Sequence, residues 1–331
     1  MNPILLDPNQ PPDRFYRGGS QIARFRRRGS SSDYIPEDWV ASTTTVHGHS
    51  TLGLTRLPNG SLLVDEIKQH ATAWLGAEHV QHFGTDTHLL VKLLDAGQRL
   101  PVHAHPDRSF ARRHLDVAHG KAEAWYVLSG GDIHLGLRRN VTHDELVALV
   151  EAQHVEQLLA LLHRVTVEAG QTVYVPPGVL HAIGEGVLVV EVQEPTDLSI
   201  LLEWRDFAID GEDIGDLGLG FETALRAVET RCRSDGEIAA LINTVQETGD
   251  SLVSAADEYF RLERLTVDGE EDCDAGFAVL IVTDGECLIS PHRSEALLAA
   301  AGQTLVMPHA CGQFTLRGNA TVLAARPPRH P

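Results

Sequence analysis

The chain has 331 residues, enough for two domains or one elaborated domain, and its 43% hydrophobic and 22% charged content is ordinary for a soluble globular protein. Its 46 acidic and 27 basic residues leave a formal net charge of −19, which argues against nucleic acid or an anionic membrane as the main partner. A small anionic substrate is still allowed, because it needs only a local basic pocket.

The first 35 residues are rich in Pro, Gly, Ser and Arg and predict an irregular segment wrapped on the surface. The four arginines around Phe25, from Arg24 to Arg28, read as a solvated loop. No basic start followed by an apolar stretch marks a signal peptide, and no apolar run reaches membrane-spanning length. Residues 36–210 predict the first folded domain, which opens with short apolar stretches. Thr87 to Asp95 reads as a buried strand.

His103 and His105 come next. Alternation along an extended strand puts both on one side. Glu123 begins an apolar run, Trp125 to Leu128, that predicts another strand. Residues 142–163 predict a helical insertion: Thr142 and Glu145 form a capping box, and the leucines and valines that follow recur at helical spacing. His143, His154 and His163 fall there as surface or helix-end residues. Thr172 to Val175 predicts a strand ended by the turn Pro176-Pro177-Gly178, and His181 opens the strand beyond it.

Residues 198–210 are expected to continue the sheet and residues 211–257 to be helical. From 258 to 331 short strands and turns alternate without a His-x-His, which predicts a second, degenerate β-barrel lacking a metal. His309 is its single tempting ligand and has no companions. The four cysteines show no close pair or metal-type spacing, so thiols in a reducing cytosol, and a cytoplasmic location, are expected. No glycine-rich phosphate loop of nucleotide-binding spacing appears.

His103, His105, Glu123 and His181 form the chemical core of this reading. Three imidazoles and one carboxylate suit a divalent transition metal, with zinc first and Mn, Fe, Co or Ni also served by the set. Neighbouring strands of a small β-barrel can bring four such groups to one ion at its mouth.

The two blocks that carry them resemble the two motifs of the cupin fold, a jelly roll. His103, His105, Glu123 and Gly130 match the first, and Gly170, Pro176, Gly178 and His181 match the second without a gap. The resemblance implies a mainly β protein of cupin barrels with a helical insertion. It narrows further, because Glu37-x-Trp39-x-x-Ser42, the strand around Lys92, Gly120 to Tyr126, Pro176 to Gly184 and Glu191-Val192-Gln193 are similar to blocks of type I phosphomannose isomerases, over roughly residues 36–326.

That resemblance implies a metal-dependent aldose–ketose isomerase acting on mannose 6-phosphate and fructose 6-phosphate through an enediol, as a monomer or homodimer. It implies Glu191 as general base, and Lys121, two residues before Glu123 on the same face, is the candidate to steady an oxyanion or the phosphate. Arg108 and Arg205 are the candidate substrate-binding cations, and Trp125 and Tyr126 are candidate pocket walls. Two positions depart from the family pattern. His103 stands where Gln is usual, and Leu201 stands where the family carries a substrate-handling Arg. The second departure keeps open a metal cupin acting on another sugar, an oxygenase, or a non-catalytic sugar-binding or regulatory relative.

Overall fold

A computed structural model of the chain describes residues 1–30, 32–244 and 247–329. Residues 245, 246, 330 and 331, which belong to the expected helical and C-terminal segments, lie outside the described residues.

Strands with long apolar runs pair into two antiparallel sheets that face each other. One runs in the order Ile242–Thr244, Gln171–Val175, Glu123–Ser129, Leu188–Gln193, Leu90–Asp95, Glu37–Val40. The other runs Ile200–Leu201, His103–Ala104, His181–Ile183, Gly131–Leu137, Leu162–Val167. The central strands of the first sheet are covered on both faces, which explains their nearly continuous Val and Leu content. One hydrophobic cluster joins Val127, Val173, Val190 and Ile183 to Phe260, Val279 and Leu323 of the C-terminal sheet, so the two halves share a core.

That C-terminal sheet has seven strands, among them the long Arg261–Cys273, Ala278–Pro291 and Phe314–Arg326. It surrounds its own apolar interior of Leu280, Cys287, Leu305 and Leu316.

The N-terminal segment, of which residue 31 lies outside the described residues, carries two regular elements. Ile4–Leu6 adds an edge strand to the C-terminal sheet, with Ile4 opposite Val306, and Gln21–Arg26 is a helix. The arginine cluster is not wholly solvated. Arg26 is buried, 3.0 Å from Asp38, and donates to Thr304 Oγ1 and the Leu6 carbonyl. A charge pattern alone does not reveal a buried partner 12 residues away.

Removing one member of a buried pair strands the other charge, so Arg26→Ala is expected to cost about 3–5 kcal/mol of stability. Urea unfolding measures this. A loss no larger than that of an exposed Arg28→Ala would show that the pair does not hold the segment down.

Three helices not anticipated from the sequence, Leu63–Gln69, Ala71–Leu75 and Ala77–Phe83, separate the first two strands of the six-stranded sheet. The expected helical insertion is shorter than 142–163. It consists of His143–Glu151 and Val155–Ala160, broken where Gln153 takes a left-handed φ of 47°, and Leu162–Val167 is a strand with alternating burial. Residues 198–210 contribute only the short strand Ile200–Leu201.

Residues 211–257 hold short helical turns, Gly211–Ile214, Phe221–Ala224 and Asp235–Ala239, together with two short strands. Gly218 and Gly220, at φ of 77° and 76°, stop a longer helix from forming.

Candidate active site and metal centre

His103 and His181 lie directly opposite each other on paired strands, and their rings are 4.0 Å apart. His105 follows just past the strand end, with its ring 5.0 Å and 4.9 Å from the other two. The turn from Pro176 to Gly178 fixes this arrangement locally. Gly178, at φ 83°, donates its amide to the His105 carbonyl at 2.8 Å. Glu123 reaches in from the opposing sheet, and its carboxylate is 3.0 Å from His105 Nε2 and 3.2 Å from His181 Nε2.

Each imidazole faces a backbone carbonyl with Nδ1: His103 with Pro101 at 2.8 Å, His105 with Leu198 at 2.8 Å, His181 with Val179 at 2.9 Å. These carbonyls accept, so Nδ1 carries the hydrogen and Nε2 keeps its lone pair toward the cluster. Burial pushes the His103 pKa well below its ordinary value and the His105 pKa down to about 3, so both are neutral, as ligands must be.

His181 Nε2 is buried with no hydrogen-bond partner. Burial alone would raise the Glu123 pKa, but the Lys121 ammonium outweighs it and holds the carboxyl well below the usual range. One ligand atom from each of the three histidines lies within 4.8 Å of the others. Three converging imidazoles, one with an orphaned Nε2, beside a carboxylate that stays ionised fit a divalent transition metal.

Lys121 Nζ stands 2.9 Å from His105 Nε2 and 2.5 Å from Glu123 Oε2. A bound cation would take those two atoms and leave the ammonium to face a substrate.

Glu191 lies across the strand ladder from Trp125 on one side and Lys92 on the other, and it is buried. One of its oxygens has no hydrogen-bond partner, and Lys92 Nζ is 3.6 Å away. Burial raises its pKa, and the Glu123 charge adds to the rise. Trp125 donates to Glu123 Oε1 at 3.1 Å and packs 5.7 Å from the His181 ring, so it joins the wall of the site.

Several residues beside Glu191 carry no role in the sequence reading. Lys92 is buried over the Trp39 ring and close to Asp197, 3.4 Å away. Glu37 accepts from Tyr16 and Trp39 and pairs with Arg14, which also reaches Asp197 at 3.3 Å. Burial would raise Asp197, but Arg14 and Lys92 together hold it below the usual carboxylate range. The available signal was Lys92 itself, a lone charge inside the apolar run Leu89 to Leu94. Arg14 carried no such mark, because it reaches the pocket from a segment with no strand pattern.

The two arginines named from the sequence are elsewhere. Arg205 is exposed and paired with Glu156 at 3.0 Å. Arg108 is tied to Glu194 at 2.5 Å and Glu258 at 3.2 Å, over the ring of Tyr259. Neither lines the cavity.

An inner cavity of about 40 Å³ touches His103, Lys121, Glu191 and Lys92. It shares Arg14, Phe15, Asp197, Ser199 and Leu201 with an outer cavity of about 410 Å³ that His47 and His49 also line. A larger cleft of about 550 Å³, between the N-terminal segment and the C-terminal sheet, holds none of the clustered histidines.

No family model matches the chain. It is 36% identical over 189 residues to the mannose-6-phosphate isomerase of Streptococcus mutans, covering 54% of each protein. It is 28% identical over 261 residues to the mannose-6-phosphate isomerase ManA of Bacillus subtilis, covering 75% of this chain and 79% of that one. The chain is a relative of the mannose-6-phosphate isomerases.

The solved structure of the mannose 6-phosphate isomerase from Bacillus subtilis superposes with a TM-score of 0.75 at 23% identity, over 98% of this chain and 100% of that one. A variant of the Salmonella typhimurium phosphomannose isomerase superposes with a TM-score of 0.75 at 15% identity, over 99% and 100%. These likenesses establish a shared fold, the mainly β cupin architecture of mannose-6-phosphate isomerases, from one end of the chain to the other.

Proposed function

We propose that this protein is a divalent-metal-dependent aldose–ketose isomerase that interconverts mannose 6-phosphate and fructose 6-phosphate through an enediol. The observation that carries the reading is the convergence of His103, His105, His181 and Glu123 beside a buried Glu191 in a chain related to enzymes of that name. Zinc is the metal we assign, because a set of three histidines and one carboxylate is a common zinc environment. Buried free thiols fit a reducing compartment, and we place the protein in the cytoplasm.

When bound, the metal supplies Lewis acidity that polarises the sugar oxygens. The residues of the chain do the rest. Glu191 takes the proton from C2 of the aldose and returns it to C1. The Lys121 ammonium, two residues before Glu123 on the same face, steadies the oxygen that gains negative charge. Lys92 and Trp39 hold Glu191 and the ion network around it in place, so the base does not have to reorganise in the transition state. Arg14, His47 and His49 offer positive or hydrogen-bonding groups toward the outer cavity, where the phosphate of a sugar phosphate can project.

The test follows mannose 6-phosphate by proton NMR in heavy water. Conversion to fructose 6-phosphate with deuterium appearing on the transferred position supports an enediol exchanging with solvent. Clean metal loading with no conversion would reject this substrate. It would point to Leu201, buried at the rim between the two cavities, as the residue that has redirected the site to another sugar.

A further inference from the structure

A second group of ligand-type side chains lies outside the central pocket. Asp86 and His88 sit between the helix Ala77–Phe83 and the strand Leu90–Asp95, and His119 sits in the loop that leads into Glu123–Ser129. One ligand atom from each lies within 4.8 Å of the other two. Two ligands of one zinc span at most about 4 Å, so a modest side-chain rotation closes the set.

Four features go beyond a simple ion pair. His119 Nε2 is 2.7 Å from Asp86 Oδ2, and the His88 and His119 rings meet edge-on at 4.7 Å. The His88 amide donates to Asp86 Oδ1 at 2.8 Å, which orients the carboxylate with its other oxygen toward His119. His88 holds a left-handed φ of 52°, an uncommon conformation for a residue with a side chain, and it leaves Nδ1 buried without a hydrogen-bond partner. Finally, His119 Nδ1 faces Glu194 Oε1 at 3.5 Å, and Glu194 is itself fixed by Arg108 and by the amide of Ala122. A carboxylate behind a histidine is the outer-shell support that metal-bound imidazoles ordinarily have.

We propose that Asp86, His88 and His119 form a second divalent-metal site of the zinc class, structural in role. Two imidazoles and one carboxylate bind the ion, and Glu194 orients His119. The ion ties the connection at 84–89 to the loop at 115–122, the loop that delivers Lys121 and Glu123 to the central pocket. Arg108, named from the sequence as a substrate group, serves here through Glu194 instead. This inference does not depend on the isomerase reading.

The test is equilibrium dialysis of the full-length, metal-stripped protein against zinc chloride, with bound zinc counted by mass spectrometry. Wild type is expected to hold two equivalents. His88→Asn, a substitution that tolerates the left-handed backbone, and His181→Ala are each expected to hold one. Asp86→Asn, nearly isosteric, repeats the comparison if His88→Asn does not give the wild-type circular dichroism spectrum. A single wild-type equivalent that vanishes in His181→Ala overturns the proposal. So do two equivalents that persist in both His88→Asn and Asp86→Asn, which would place the second ion elsewhere.

Discussion

Replacing His181 with alanine is expected to empty the central metal site and lower turnover by about 10³-fold or more. The estimate follows from Lewis-acid stabilisation of developing charge worth several kcal/mol, at about tenfold in rate per 1.36 kcal/mol. His181 is the sharpest choice among the ligands. It is fully buried, it pairs directly with His103 across the sheet, and its Nε2 has no hydrogen-bond partner that would survive as an alternative role. The measurement combines metal content with the rate of mannose 6-phosphate conversion. Thermal unfolding of variant and wild type, both in chelator, separates metal loss from simple loss of packing. A variant that has lost its central metal yet turns over within a few-fold of wild type would sink the metal reading.

Glu191→Gln is expected to reduce kcat by about 10² to 10⁴-fold, the range for removal of a positioned general base. The amide keeps the shape of the carboxylate and the contact with Lys92 but cannot accept the proton. Metal content should stay at the wild-type level, because Glu191 is not among the converging ligands.

The pH dependence follows from the same carboxyl. Burial, and next the Glu123 charge, raise its pKa above the ordinary 4.5, while Lys121 and Lys92 pull it back only in part. A base must be ionised to work, so kcat/KM is expected to fall as pH drops through a value above 4.5. That limb should be missing from the residual activity of Glu191→Gln. The linkage to stability has the opposite sense. A carboxyl raised in the folded state contributes stability that is full below its unfolded value and is lost as pH rises through the folded pKa. Glu191→Gln should therefore be at least as stable as wild type at neutral pH. If the variant keeps wild-type kcat, the base is another group, and Asp197 is then the carboxylate to test.

The convergence of the three histidines was legible in the sequence because their placement is local. His103 and His105 share a face by the period of a strand, and His181 follows a Pro-Pro-Gly turn that ends one strand and starts the next. The barrel around them was legible for the same reason, as apolar runs punctuated by turns. The helices of residues 211–257 are short, and at the start of the segment glycines at 211, 215, 218 and 220 cut the apolar periodicity into single turns. The predicted helix runs two residues into the strand Leu162–Val167 because Leu162 continues the helical spacing before the alternation shows.

The two candidate substrate cations, Arg108 and Arg205, stand outside the cavity for a different physical reason. A long side chain goes where a carboxylate meets it. Glu194 and Glu156 meet these two outside the cavity. Arg14 and Asp197 enter the pocket from segments 183 residues apart in the chain, brought together by an N-terminal strap whose first strand is hydrogen-bonded to the far end of the protein.

By itself, the sequence determined the strand alternation, the turn chemistry and the residue types from which one metal site can be built, because each of these depends on neighbours a few positions away. Only the tertiary structure decided which buried charges answer one another: Lys92 with Glu191 and Asp197, Arg26 with Asp38, and Asp86 with His119. A charge removed from water must find its partner in space, and no local pattern in the chain records where that partner lies.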